Sequence, residues 1–156
     1  MWDVSTNGDN SVNCYRHGTE LVIVADAPRI SVKSGTNLFY KFRSLTSLDL
    51  SNFDTSNVSF MNDMFSLCNA LTRLDLSNFD TSNVVNMGAM FNECNALTSL
   101  DISNFDISNV TYNDWMFQDC GSSCGGTTIY VRDEAMATWV KATKGFPANA
   151  TVVVKS

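Results

Sequence analysis

Through the middle of the chain, apolar residues recur in two alternating rhythms. Leu45, Leu48, Leu50 and Phe53 are interrupted by polar Ser47, Asp49 and Ser51, the pattern of a strand with one face turned inward. Val58, Met61, Met64, Phe65 and Cys68 follow at spacings of one to four, and this predicts a short helical or 3-10 segment with one apolar face. Between the two lie Asp54, Thr55, Ser56 and Asn57, whose side chains bond nearby backbone and let the chain change direction.

The whole pattern returns after 26 residues. Residues 45–70, 71–96 and 97–122 are three copies, the second identical to the first at 19 of 26 positions and the third at 15. One such unit cannot bury its apolar edge alone, whereas stacked units share a continuous core. The expected fold is therefore an α/β repeat solenoid. It is a leucine-rich-repeat-like right-handed coil with one short parallel strand and one short helical or 3-10 segment per turn. Shifting back one period sets Val22, Val24, Val32, Leu38, Phe39 and Phe42 on the register of Leu48, Leu50, Val58, Met64, Phe65 and Cys68. Residues 1–44 thus read as an N-terminal cap with a degenerate leading repeat, followed by the three full repeats over 45–122.

Residues 123–156 read as a C-terminal cap. Ile129 and Val131 repeat the Leu100/Ile102 pair if about three residues near Cys120 and Cys124 are an insertion. Asp133 is placed to cap a helix carrying Met136, Trp139 and Val140 on one face, and Thr151–Val154 reads as a final strand. A stacked array needs such a lid, because its last unit otherwise exposes core and unpaired backbone.

Charge narrows the partners. Ten basic against sixteen acidic residues give a formal charge of −6, which disfavours nucleic acid and anionic lipid. No run approaches the roughly 18–20 apolar residues of a membrane span, so no membrane insertion is expected. The first residues lack a basic and then apolar leader, so an export signal has been removed, lies on a longer parent chain, or never existed.

Candidate chemistry is sparse. His17 is the single histidine, which leaves little for acid-base or nucleophilic catalysis, and neither an enzyme nor a cofactor is expected. Cys68, Cys94 and Cys120 recur at the repeat spacing and suggest a ladder of buried reduced thiols; Cys14 lies outside it. Cys120 and Cys124 lack the second pair that a zinc site requires, so they form either a local disulfide or two free thiols. Asp49, Asp75 and Asp101 recur on the outward side of the strand, where stacking sets like charges opposite each other. That row either stays solvated and keeps the sheet from aggregating, or meets a cation or basic partner, with Arg73 beside it as an anchor for a polar ligand. Asp54, Asp80 and Asp106, with Asn57, Asn83 and Asn109, read as turn formers. Where the copies disagree, Phe60, Tyr112 and Trp115 either make an exposed aromatic patch suited to sugar or peptide, or tuck beneath the cap.

The segment LDLSNFDTSNV followed by M-x-x-M-F-x-x-C resembles the BspA-like leucine-rich repeats of bacterial and mycoplasma surface proteins, a group that carries a domain of unknown function. The resemblance covers residues 45–120 closely and 19–44 loosely. It departs at Asn113, where the first two copies have Met61 and Met87. It implies an extracellular or cell-surface protein that adheres to host matrix or to neighbouring cells, with no catalytic residue to carry over. The expected function is a non-enzymatic binding or adhesion module facing a protein or glycan. The alternative is a structural spacer or tip domain of a larger surface or phage-tail-like fibre, with self-assembly inside that fibre.

Overall fold

The computed structural model describes residues 30–156 in full, and residues 12–17 and 20–25 through their backbone. The side chains of Cys14, His17, Val22 and Val24 lie outside what the structure describes. Its elements are β1 (Val12–His17), β2 (Glu20–Ala25), β3 (Ile30–Ser31), β4 (Ser47–Leu48), β5 (Phe53–Asp54), β6 (Ser99–Asp101), β7 (Thr128–Val131), α1 (Glu134–Lys141) and β8 (Thr151–Val154). They make three sheets ordered β1-β2-β4, β3-β5 and β6-β7-β8, in which every pairing except the β1-β2 hairpin is parallel.

Successive copies lie against one another. Phe65 N–H donates to the Met90 carbonyl at 3.0 Å and Phe91 N–H to Met116 at 2.8 Å, one copy further on. Side chains that share a register position consequently stack. Phe39, Phe65, Phe91 and Phe117 form a column with ring centroids 5.5, 5.7 and 5.9 Å apart and planes within 12° of parallel. Beside it run Cys68, Cys94 and Cys120, each fully buried. All nine apolar positions named in the first full copy, Leu45 through Cys68, are buried.

The second half of each copy is not wound as a helix. In the first full copy the N–H groups of Met61, Asp63, Phe65 and Leu67 point along the stack to Asn86, Gly88, Met90 and Asn92, at 2.8–3.0 Å. Those of Met64, Ser66 and Cys68 close turns onto residues three back. A helix would send every donor along its own axis; here alternate donors are turned toward the next copy. That geometry requires left-handed backbone at two positions per copy, Asn37/Lys41, Asp63/Leu67, Ala89/Glu93 and Trp115/Asp119, with φ between 54° and 65°. None is glycine, and each left-handed residue costs on the order of 1–2 kcal/mol, which the inter-copy hydrogen bonds offset. Apolar spacing alone could not separate this from a helical turn.

The leading segment also departs from the simple period. Leu21, not Val22, pairs with Leu48, and Ile30 pairs with Phe53. Those partners lie 27 and 23 residues on rather than 26, because Leu21 and Ile30 are nine residues apart where Leu48 and Phe53 are five. The period is recovered by Phe39, which stacks on Phe65.

Strand pairing is interrupted as well. Residues 73–76 form no strand, and the rungs beside them, Thr72 N–H to Thr46 O and Thr98 N–H to Thr72 O, are long at 3.4 and 3.5 Å. Side chains hold the copies together there. Asn78 Nδ2 donates to the Leu50 and Phe53 carbonyls, both at 2.9 Å, and Asn104 Nδ2 repeats this onto Leu76 and Phe79. Thr55 donates to Asp80 O and accepts from Asp80 N–H, both at 2.9 Å, as Thr81 does with Asp106.

At the far end Leu100 pairs with Ile129, and β8 extends the same sheet. Asp133 caps α1, its carboxylate accepting from Met136 N–H at 2.8 Å, and Met136, Ala137 and Val140 are buried. Trp115 N–H donates to Lys144 O as Ala89 N–H does to Asp114 O, so the segment after α1 takes the place of a further copy on the turn side.

Cys120 and Cys124 are free thiols, and no local disulfide joins them. Cys120 faces the core, whereas Cys124 is exposed, with its Sγ among the carbonyls of Gly121, Gly126 and Leu97. Burial pushes the Cys68 and Cys120 thiols up to about 12 and Cys94 well above its ordinary value. Thiolates are the reactive species, so a small alkylating reagent is expected to modify Cys124 in the native protein and to reach Cys68, Cys94 and Cys120 only on unfolding. Peptide mapping by mass spectrometry after timed alkylation checks this. Native labelling of Cys94 at the rate of Cys124 would contradict the ladder.

Candidate functional site

Two surfaces gather the residues singled out in the sequence. The first is a groove of about 700 Å³ on the strand side, where ladder pairing lapses. Arg73, Asp75 and Asp101 line it, and the gap between copies lets it reach Leu48, Leu74 and Leu76. Asp49 shares the register of Asp75 but does not line the groove. Sequence reasoning missed two members supplied by the C-terminal segment. Tyr130 pairs in register with Asp101, and Lys155 donates to Asp101 Oδ2 at 2.8 Å. Arg73 is exposed and, among the described residues, forms no ion pair. The groove thus offers a free guanidinium, an aromatic ring, Asp75 and several hydroxyls, including Ser77, Ser99 and Ser103.

The repulsion expected along the Asp row is offset locally. Asp49, Asp75 and Asp101 each accept from the N–H two residues on, Ser51, Ser77 and Ser103, at 3.0 Å. These bonds hold Asp49 and Asp75 below the ordinary carboxylate value of 3.8 despite their neighbours. Partial burial works against ionisation of Asp101, but hydrogen bonds from Lys155 and Ser103 outweigh it and its value also falls. The outward Asp row therefore forms turns, as the Asp54, Asp80 and Asp106 row does through Ser56, Ser82 and Ser108. Ser82 and Ser108 likewise lower Asp80 and Asp106, and the Met136 N–H lowers Asp133.

A pH dependence follows with a definite sign. Carboxylates with depressed folded-state values contribute stability that is complete above about 3.8 and lost as pH falls through those lower values. Chemical denaturation midpoints should be level from pH 7 to about 5 and decline below about 4. Stability that rose on acidification to pH 3 would show that repulsion along the Asp rows outweighs their turn bonds.

The second surface lies on the turn side. Phe60, Asn86 and Tyr112 bridge one another in parallel across three copies, with Phe60 50% and Tyr112 43% exposed. Trp115 is 37% exposed but belongs to the cap. Lys144 Nζ sits 4.4 Å from its ring centroid, and its backbone bonds Lys144. The structure therefore joins Phe60 and Tyr112 in one row and assigns Trp115 to the lid. Among the described residues no three His, Cys, Asp or Glu side chains converge as a metal site, and no helix is long and apolar enough to cross a membrane.

A family model described as Mycoplasma protein of unknown function, DUF285, matches residues 33–146. No curated protein and no solved structure matches the chain.

Proposed function

From the premise that the chain belongs to the Mycoplasma protein family of unknown function DUF285, we propose that it is a non-enzymatic binding or adhesion module of the cell surface. Its array is a leucine-rich-repeat-like solenoid of the BspA-like kind, presenting a rigid face to a protein or glycan on a host or neighbouring cell. The observation that carries this reading is the strand-side groove of about 700 Å³. Arg73, Asp75 and Tyr130 stand together there, so one concave surface offers a cation, a carboxylate and an aromatic ring to a partner.

The test is saturable binding of the 156-residue chain to immobilised host-matrix proteins and glycans. Arg73→Glu combined with Tyr130→Ala should weaken it at least tenfold, as expected of two anchor residues. Binding that is unchanged by that pair would remove the groove from the site.

One observation favours the second reading, a spacer or tip domain of a larger surface or phage-tail-like fibre. Among the described residues β8 pairs only with β7, and Val153 and Val154 are 37% and 36% exposed. An open edge of this kind invites another strand. Concentration-dependent assembly in light scattering, abolished by Val153→Lys, would support the fibre reading over the monomeric module.

A further inference from the structure

We infer that the Phe60–Asn86–Tyr112 row is a second binding site, separate from the groove, for an extended polysaccharide whose equatorial linkages turn each sugar ring half a revolution from the last. The three residues bridge in parallel, so their side chains leave the same face of neighbouring copies. At the usual strand spacing, the backbones of Phe60 and Tyr112 stand roughly 9–10 Å apart, two copies along the stack. A chain of the cellulose or chitin type presents the same ring face at every second sugar, over about that distance. The slightly positive C–H faces of two such rings meet the negative faces of two aromatic rings.

The residues between and beneath the rings are suited to this use. Asn86 Oδ1 accepts from Gly88 N–H at 2.9 Å, and among the described residues its Nδ2 has no partner, so it remains a donor for a hydroxyl of the intervening sugar. Gly88 is the seat of Tyr112. A Cβ at position 88 would stand 2.5 Å from Tyr112 Cε1 and 2.7 Å from Cδ1, so the ring lies against the bare glycine while Tyr112 remains 43% exposed. The other two full copies carry Asn62 and Asp114 at this position, and the exception coincides with the exposed tyrosine. A Tyr112 held this way loses little freedom when a sugar covers it.

This inference deepens the binding-module reading and can fail independently of it. The experiment measures retention of the full chain on microcrystalline cellulose and chitin and on their soluble oligosaccharides, with amylose, whose axial linkages do not present alternate faces, as the contrast. Retention on at least one equatorially linked polymer and none on amylose is expected. Phe60→Ala and Tyr112→Ala should each weaken it about tenfold, with melting temperatures unchanged. Gly88→Ala, which keeps both rings but displaces Tyr112, should weaken it several-fold. No retention on either polymer, retention indifferent to both ring substitutions, or use of the row by a protein ligand alone would overturn the inference. If host partners still bind through the groove while both polymers fail, the aromatic row falls as a polysaccharide site and the module reading stands.

Discussion

Phe91→Ala is expected to destabilise the protein by about 3–5 kcal/mol, the range for removing a large buried aromatic side chain. Phe91 is fully buried at the centre of the column, stacked on Phe65 and Phe117 at 5.7 and 5.9 Å. Its loss opens a cavity between two copies and removes a ring partner from both neighbours at once. The backbone on either side is tied by inter-copy hydrogen bonds at 2.8–3.0 Å, so the gap cannot close by local collapse. For a chain of this length the cost corresponds to roughly 6–20 °C in melting temperature. Phe146 closes the column as a half-buried, edge-on ring at 6.3 Å, and its alanine variant should lose distinctly less. Equal losses at both positions, or a loss at Phe91 below about 1 kcal/mol, would show that the column is not the main source of cohesion between copies.

Asn78→Ala comes next in size, at about 1–3 kcal/mol. One amide nitrogen there serves two carbonyls of the preceding copy, Leu50 and Phe53, where the strand ladder has parted. Alanine leaves both without that donor. Asn78→Asp should be worse than alanine, because a carboxylate would face the same carbonyl oxygens. Asn57→Ala is the contrast: among the described residues its Nδ2 reaches only Ser56 Oγ, at 3.5 Å, and its loss should stay within about 0.5 kcal/mol. Urea titrations of the three variants decide the matter. If Asn78→Ala proved as mild as Asn57→Ala, water would already be satisfying those carbonyls.

Most of the inward face was legible because identical units repeat it. Three copies with nearly the same apolar positions average away local ambiguity, and those positions are buried in the first two copies and, apart from Val110 and Asn113, in the third, as is each member of the Cys68, Cys94 and Cys120 ladder. Asp133 was legible for another reason: a cap is a local interaction, made with a residue three positions on. The leading copy was misread, by one residue at β2 and by three at β3, because its identity to the others is low and its spacing departs from 26 residues. Lys155 was missed in the groove because it reaches Asp101 from 54 residues away, beyond the repeat, with no periodic signal to announce it; Tyr130 was already on the register of Asp101 through Ile129 and Val131, but its place in the groove depends on the strand pairing of the cap.

Gly88 shows the limit from the opposite side. In sequence it is one of several departures in a variable stretch, and only the Tyr112 ring lying over it gives that departure a meaning. Asn78 and Asn104 stand in every copy, beside Asn52, but their bonds to the copy before depend on how far the strands have separated.

By itself the sequence determined the period, the inward residues and the turn chemistry, because burial pattern and side-chain-to-backbone bonding are properties of short segments. The tertiary structure decided what the second half of each copy becomes. Whether three-and-four spacing winds into a helix or unrolls into left-handed turns depends on where the backbone donors find acceptors, and those acceptors lie on the next copy. It decided the outer surfaces for the same reason: the groove and the aromatic row exist only between copies, where side chains distant in sequence are brought to one strand spacing from each other.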